Sequence, residues 1–153
     1  ALQPQKIFIA ELVENLVAEQ VMLYENPNID IVVNISDGLN LTSDLELLRV
    51  IYGNLINNAI KFRDTSDRKV SFIKLSAEKN AGNIEFRIVD NGIGINEVET
   101  EKIFEVFSKA TDIADSSGIG LYLVKLAVEK LRGSISLKHN KEGNTVFIVT
   151  IPA

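Results

Sequence analysis

The chain has 153 residues, the size of one domain, and its 21 acidic against 16 basic residues give a net charge of −5. That balance leaves no basic tract for gripping nucleic-acid phosphates, and a chain without cysteine has no disulfide, thiolate metal site or thiol nucleophile. No apolar run reaches the roughly 18 residues of a membrane helix, and the opening Ala1-Leu2-Gln3-Pro4-Gln5-Lys6 lacks both a signal-peptide pattern and an initiator Met, so it reads as a piece of a longer protein.

Lys6 to Tyr24 predicts a helix, with Ile9, Leu12, Val13, Leu16 and Val17 on one stripe, ended by Asn26-Pro27-Asn28. Ile31, Val33 and Ile35 alternate as in a strand, Asp37-Gly38 turns the chain, and Leu39 to Thr42 is a short partner strand. Ser43 or Asp44 caps a long helix running to about Phe62. Val70 to Ser76 and Ile84 to Val89 are strands joined by a turn around Asn80-Ala81-Gly82-Asn83. Glu97 to Phe107 is helical, and Ser108 to Ser117 is a small, polar loop. The last helix runs from about Gly118 to Leu131, with Gly133 in the place of a C-terminal cap. Ile135 to Lys138 and Thr145 to Ile151 are strands about a turn at Glu142-Gly143-Asn144. Interspersed helices and strands of this kind predict one sheet with helices on one face, a two-layer α/β arrangement.

Three clusters carry chemistry. On the helix from Asp44 to Phe62, Asn54, Asn58 and Lys61 fall within a sector about 60° wide, while Leu48, Tyr52, Leu55, Ile56 and Ala59 cover much of the remaining circumference. Amide oxygens are hard ligands that suit Mg²⁺, and lysine suits a phosphate; a solvated polar stripe is the plainer alternative. In the second cluster, Ile84, Phe86, Ile88 and Asp90 share a strand face, so Asp90 points with the apolar residues and needs a donor. The amine of adenine is such a donor, and Gly92 and Gly94 would let a flat ring approach the backbone. The alternative is that Asp90 and Asn91 cap an Asx turn. The third cluster, Ser116-Ser117-Gly118-Ile119-Gly120-Leu121, opens the last helix, where free N–H groups and the dipole favour an anion. It is neither a P-loop nor a dinucleotide fingerprint.

Taken together, the three resemble the boxes of sensor histidine kinases. Asp44 to Phe62, with Asn54-Leu55-Ile56-Asn57-Asn58-Ala59-Ile60-Lys61-Phe62, resembles the N box. Asp90-Asn91-Gly92-Ile93-Gly94 is similar to the first glycine box, Ile103-Phe104-Glu105-Val106-Phe107 to the F box, and Gly118-Ile119-Gly120-Leu121-Tyr122-Leu123-Val124-Lys125 to the second glycine box. Gly143-Asn144-Thr145-Val146-Phe147 to Pro152 is similar to the family's final hairpin, so the resemblance covers essentially the whole chain. It implies a Bergerat-type ATP-binding fold, a two-layer sandwich with a mixed sheet of about five strands and three helices on one face. It implies a catalytic set of Asn54, Asn58 and Lys61, with Asn58 the Mg²⁺ ligand and Lys61 on phosphate. Phe62 walls the ATP site, Asp90 accepts from the adenine amine, and Gly92, Ile93 and Gly94 lie beneath the base. Gly118, Ile119, Gly120 and Leu121 hold the phosphate side, Phe104 and Phe107 anchor the lid, Lys109 is its basic residue, and Thr145 joins the adenine end through water.

The hydrolytic branches of the superfamily usually carry a glutamate where this chain has Asn54. An amide cannot take a proton from water at neutral pH, so the site is expected to keep the γ-phosphate for another acceptor. The only histidine, His139, lies at a strand end with no acidic residue after it, and reads as structural. The resemblance then implies a phosphoacceptor histidine on a separate helical-hairpin domain, a downstream response regulator and a cytoplasmic setting. It also implies a monomeric domain that touches neither nucleic acid nor membrane. Asp115 and Ser116 stand where the family often has glycines, and Leu45 replaces a frequent proline. The alternative functions are an anti-sigma-type Ser/Thr kinase and a nucleotide-gated binding module without phosphotransfer.

Overall fold

The computed structural model describes residues 1–66, 70–93 and 116–153, the last stretch with side chains from 120 onward. Within these residues the chain runs β1 (Pro4–Phe8), α1 (Ile9–Leu23), β2 (Asp30–Asn34), β3 (Asn40–Asp44), α2 (Leu45–Lys61), β4 (Phe72–Asn80) and β5 (Asn83–Asp90). It continues with α3 (Ser116–Lys130), β6 (Ser134–His139) and β7 (Thr145–Pro152). The main sheet has the order β2-β4-β5-β7-β6, with β2 parallel to β4 and every other pair antiparallel. A mixed sheet of five strands with three helices matches the expected two-layer plan, and β1 and β3 form a separate antiparallel pair.

The layering follows from period-two burial. Ile73 and Leu75 of β4, Ile84, Phe86 and Ile88 of β5, and Phe147, Val149 and Ile151 of β7 are buried in one core with α1, α2 and α3. Lys74, Arg87, Ser136 and Lys138 alternate with them and are exposed on the opposite face. In α2 the buried positions Leu48, Ile51, Tyr52, Leu55, Ile56, Ala59 and Ile60 form the broad apolar stripe of a core-facing helix.

Four local expectations change. The first helix begins at Ile9 and not at Lys6, because Pro4–Phe8 pairs with Asn40–Asp44 and buries only Ile7 of its five residues. The strand after the Asp37-Gly38 turn therefore partners β1, not β2. The last helix begins at Ser116, taking in the end of the predicted loop. At its other end Gly133 is not the left-handed residue: Arg132 adopts φ 60°, and the N–H groups of Arg132 and Gly133 donate to the carbonyls of Glu129 and Val128, both at 2.9 Å, which makes a Schellman motif. Gly133 is needed instead for close approach, since a Cβ there would meet the Thr150 carbonyl oxygen at 2.3 Å. The β4–β5 turn is placed as expected, with Ala81 and Gly82 both at positive φ, the pattern of a type I′ turn. The predicted helix 97–107 and loop residues 108–115 lie outside the described residues.

Asp44 caps α2. Its Oδ1 accepts the Leu47 N–H and its Oδ2 accepts the Gln3 N–H, both at 3.1 Å. These bonds, Gln3 first, hold its carboxyl below the usual carboxylate range. A depressed folded-state pKa stabilises the fold above the ordinary value, and the benefit is lost as pH falls through the depressed one. Asp44→Asn keeps an acceptor but cannot titrate, so its urea midpoint is expected to fall less steeply than the wild type's below about pH 4. Equal acid limbs in the two proteins would remove Asp44 from this role. Tyr52 is fully buried and stacked on Phe86 at 4.3 Å between centroids, yet its hydroxyl has no hydrogen-bond partner among the described residues. Tyr52→Phe removes an unpaired buried polar atom and is expected to raise stability by about 1 kcal/mol in denaturant unfolding.

Candidate functional site

Half-buried Leu47, Val50, Asn54, Asn58 and Lys61 recur at spacings of three and four along α2 and form one stripe. The next stripe belongs to α1: Arg49 makes two hydrogen bonds to Glu19, both 3.0 Å, and Asn57 Nδ2 donates to Gln20 Oε1 at 2.9 Å. Asn57 is thereby a packing residue, whereas Asn54 turns toward α3. Asn54 Nδ2 donates to the Val50 carbonyl at 2.7 Å. Its Oδ1 lies where a Cβ on Gly120 would meet it at 2.9 Å. The first and third sequence clusters therefore touch, and glycine at 120 is what lets the amide oxygen face the first turns of α3.

The C-terminal end of α2 joins the second cluster. The Phe62 carbonyl accepts the Ile93 N–H at 3.0 Å. Gly92 packs so closely on that carbonyl that a Cβ would lie 2.5 Å from its oxygen and 3.0 Å from Asp90 Oδ1. The Gly92 N–H donates to Asp90 Oδ1 at 2.9 Å. The Asx-type turn at Asp90 is therefore real, and it sets Asp90 beside the helix end that carries Lys61 and Phe62, with the Lys61 ammonium 5.6 Å from the Phe62 ring centroid. The requirement for glycine at 92 comes from the helix carbonyl. Ile93 is largely exposed at 71%.

Thr145 lies directly opposite Asp90 on β7 and is 3% exposed, so it shares the buried end of the sheet with the carboxylate. Gly118, Ile119 and Gly120 fall in the opening turns of α3, which begins at Ser116, so of the three only Gly118 is among the first residues whose N–H groups lack intrahelical partners. Leu121 is 2% exposed within the apolar core, so it seats the helix. Gly94, Phe104, Phe107, Lys109 and Asp115 lie outside the described residues.

One positioning residue was not legible. The Asx-turn alternative places Asn91 in the turn, but its Oδ1 accepts the Phe72 N–H and its Nδ2 donates to the Val70 carbonyl, both at 2.8 Å. It is 7% exposed and ties the start of β4 to the end of β5. Its partners are about twenty residues away in sequence, where no local pattern could reveal them.

Residues 43–153 match the family model described as histidine kinase-, DNA gyrase B- and HSP90-like ATPase. The sensor-like histidine kinase SenX3 of Mycolicibacterium smegmatis is 30% identical over 148 residues, 94% of this chain and 38% of that protein. The autoinducer 2 sensor kinase/phosphatase LuxQ of Vibrio vulnificus is 36% identical over 117 residues, 73% of this chain and 14% of that protein. The chain thus spans well under half of these relatives. Among solved structures, the catalytic domain of histidine kinase ThkA aligns with a TM-score of 0.84 over 99% of this chain and 96% of that one, at 24% identity. Full-length ShkA in complex with AMPPNP aligns at 0.83 over 99% of this chain and 31% of that one, at 22% identity.

The packing at Gly92 gives a direct test. Gly92→Ala forces a methyl onto a backbone carbonyl, and a loss of about 1–3 kcal/mol in unfolding free energy is expected. Gly38→Ala has nothing within 4 Å of its added Cβ and should stay within about 0.5 kcal/mol of wild type. Equal effects from the two would show that the Phe62 contact carries no weight.

Proposed function

The chain belongs to the family of histidine kinase-, DNA gyrase B- and HSP90-like ATPases as a catalytic ATP-binding domain of the histidine-kinase type, and on that footing we propose that it binds Mg-ATP and donates the γ-phosphate to a histidine held on a separate domain. The observation that carries this reading is the convergence on α2: Asn54 against Gly120 of α3, and the Phe62 carbonyl against Gly92 beside Asp90. ATP spans the same three elements. Asp90 accepts from the adenine amine, with Gly92, Ile93, Gly94 and Thr145 around the base and Phe62 as a wall. Gly118, Ile119 and Gly120 line the phosphate side at the positive end of α3, where the N–H groups without intrahelical partners are those up to Gly118. Phe107 and Lys109 belong to the lid.

The donor set suits magnesium. Asn54 Nδ2 is committed to the Val50 carbonyl, which leaves its oxygen turned toward α3. An amide oxygen facing phosphates favours a cation between them, and Asn58 one turn on is the residue that would ligate it. Bound Mg²⁺ supplies charge neutralisation on the polyphosphate. Lys61 takes phosphate oxygens as a point charge. Asn54 can orient but cannot abstract a proton from water, so the γ-phosphate is held for a nucleophile brought from outside. That nucleophile is the imidazole of a phosphoacceptor hairpin in the same signalling protein, and a response regulator is the next acceptor. Among the described residues no helix is long and apolar enough to cross a membrane, and the proposed setting is the cytoplasm.

Calorimetric titration with ATP, with and without Mg²⁺, tests the site. Asp90→Asn is expected to weaken ATP binding about tenfold or more while the thermal transition stays cooperative. Asn58→Ala is expected to abolish most of the Mg²⁺ dependence. Undiminished ATP affinity in Asp90→Asn sinks the adenine role, and an unaltered Mg²⁺ dependence in Asn58→Ala sinks the metal role. Transfer of labelled phosphate to a supplied histidine-bearing hairpin tests the acceptor.

A further inference from the structure

Asn91 joins two strands through its side chain, and this bears on the turn beside it. The Val70 carbonyl and the Phe72 N–H flank Ser71, and buried backbone groups of this kind need partners. Backbone pairing of β4 with β5 stops one rung short of them, at Ile73 opposite Asp90. The Asn91 amide stands in for the missing rung. It offers an acceptor and a donor, as a peptide group does, and bonds both backbone groups at 2.8 Å. The anchor is itself held: Ser71 is buried, its carbonyl accepts the Asp30 N–H at 2.9 Å, and its hydroxyl donates to the Asp64 carbonyl at 2.8 Å. Because a side chain carries the pairing, the backbone can leave the sheet after Asp90, the last residue of β5. By Ile93 it has reached the end of α2, where its N–H meets the Phe62 carbonyl at 3.0 Å. The turn is thus pinned to the sheet at Asn91 and to the helix at Ile93. Asp90 Oδ1 accepts the Gly92 N–H at 2.9 Å, from the residue between the two pins.

On the footing of the nucleotide reading above, we infer that Asn91 is a positioning residue that sets how strictly the site chooses its purine. It does so without touching the nucleotide, by fixing the turn that aims the Asp90 carboxylate. Adenine carries an amine on the ring carbon where guanine carries a carbonyl. A carboxylate facing that position accepts from the one and opposes the other, acceptor against acceptor. The discrimination lasts only while the carboxylate cannot swing aside or admit a water between the two oxygens. The Gly92 N–H fixes the carboxylate to the turn, and Asn91 fixes the turn to the sheet. A buried asparagine that served stability alone would change the affinity for both purine nucleotides by the same factor.

The test titrates the chain with Mg-ATP and with Mg-GTP and reads the ratio of the two affinities. The wild type is expected to prefer ATP about tenfold or more, the scale of a hydrogen bond to a charged group. Asn91→Asp keeps the shape and the bond to the Phe72 N–H but sets an oxygen against the Val70 carbonyl. It is expected to lower the ratio about fivefold, on the scale of the one hydrogen bond lost. Val13→Ala truncates a fully buried side chain of α1 and is the control for stability. It is expected to lower the unfolding midpoint and leave the ratio unchanged. Should Asn91→Asp not fold, Asn91→Ser, with a hydroxyl on a shorter stem, carries the same comparison. A wild-type ratio in a folded Asn91 variant, or an equal fall of the ratio in Val13→Ala, overturns the role of Asn91. Asp90→Asn separates the two levels: if it binds ATP as wild type does, the nucleotide reading fails. If it binds ATP weakly while the Asn91 variant keeps the wild-type ratio, only the positioning role fails.

Discussion

The Phe62 carbonyl is the hinge on which the arrangement turns. The last carbonyls of a helix have no partner inside it. Here one of them takes the N–H of Ile93, from the chain leaving β5, and Gly92 allows the approach. One bond thus satisfies the helix end, fixes the exit of the strand and ties the turn that carries Asp90 to the end of the helix that carries Lys61. Neither Asp90 nor Lys61 could be positioned so by its own element, because strand ends and helix ends move independently unless something ties them.

The two flanks of α2 divide the labour. Toward α1 it presents an ion pair and an amide pair, Arg49 with Glu19 and Asn57 with Gln20, at a surface whose pairs contribute little energy but set register. Toward α3 it presents Asn54, and one turn further Asn58. Two asparagines only three residues apart, Asn54 and Asn57, thus serve opposite sides of one helix. The chemistry this permits is electrostatic and geometric. No carboxylate occupies position 54, so the stripe offers charge stabilisation and alignment and no general base.

Elements with a strong local signal were legible. Asp44 announced the start of α2, the apolar stripe from Leu48 to Ile60 announced its buried side, and Asn80 to Asn83 announced the hairpin. What escaped were features decided by distant partners. Pro4–Phe8 looks like the first turn of a helix until Asn40–Asp44 arrives to pair with it. Asn91 looks like a turn residue until the backbone at Val70 and Phe72 claims both ends of its amide. Gly133 looks like a cap until the Thr150 carbonyl crowds it. The same held at the site: Asn54, Asp90 and Gly120 were each ambiguous alone, and only the contacts between their elements separate a site from a set of polar turns.

The strand pair β1–β3 and the helix α1 bear on where the cooperative unit ends. The family match begins at residue 43, yet Ile7, Ile9, Ala10, Leu12, Val13, Leu16 and Leu41, all before it, are buried with the rest of the interior. β2, also before it, flanks β4 in the sheet. A fragment trimmed to the matched region would bare the α1 side of α2 to solvent and leave β4 as an unprotected edge, inviting self-association. The boundary that sequence similarity draws around the nucleotide machinery is therefore narrower than the boundary that physical chemistry draws around a piece able to stand in water.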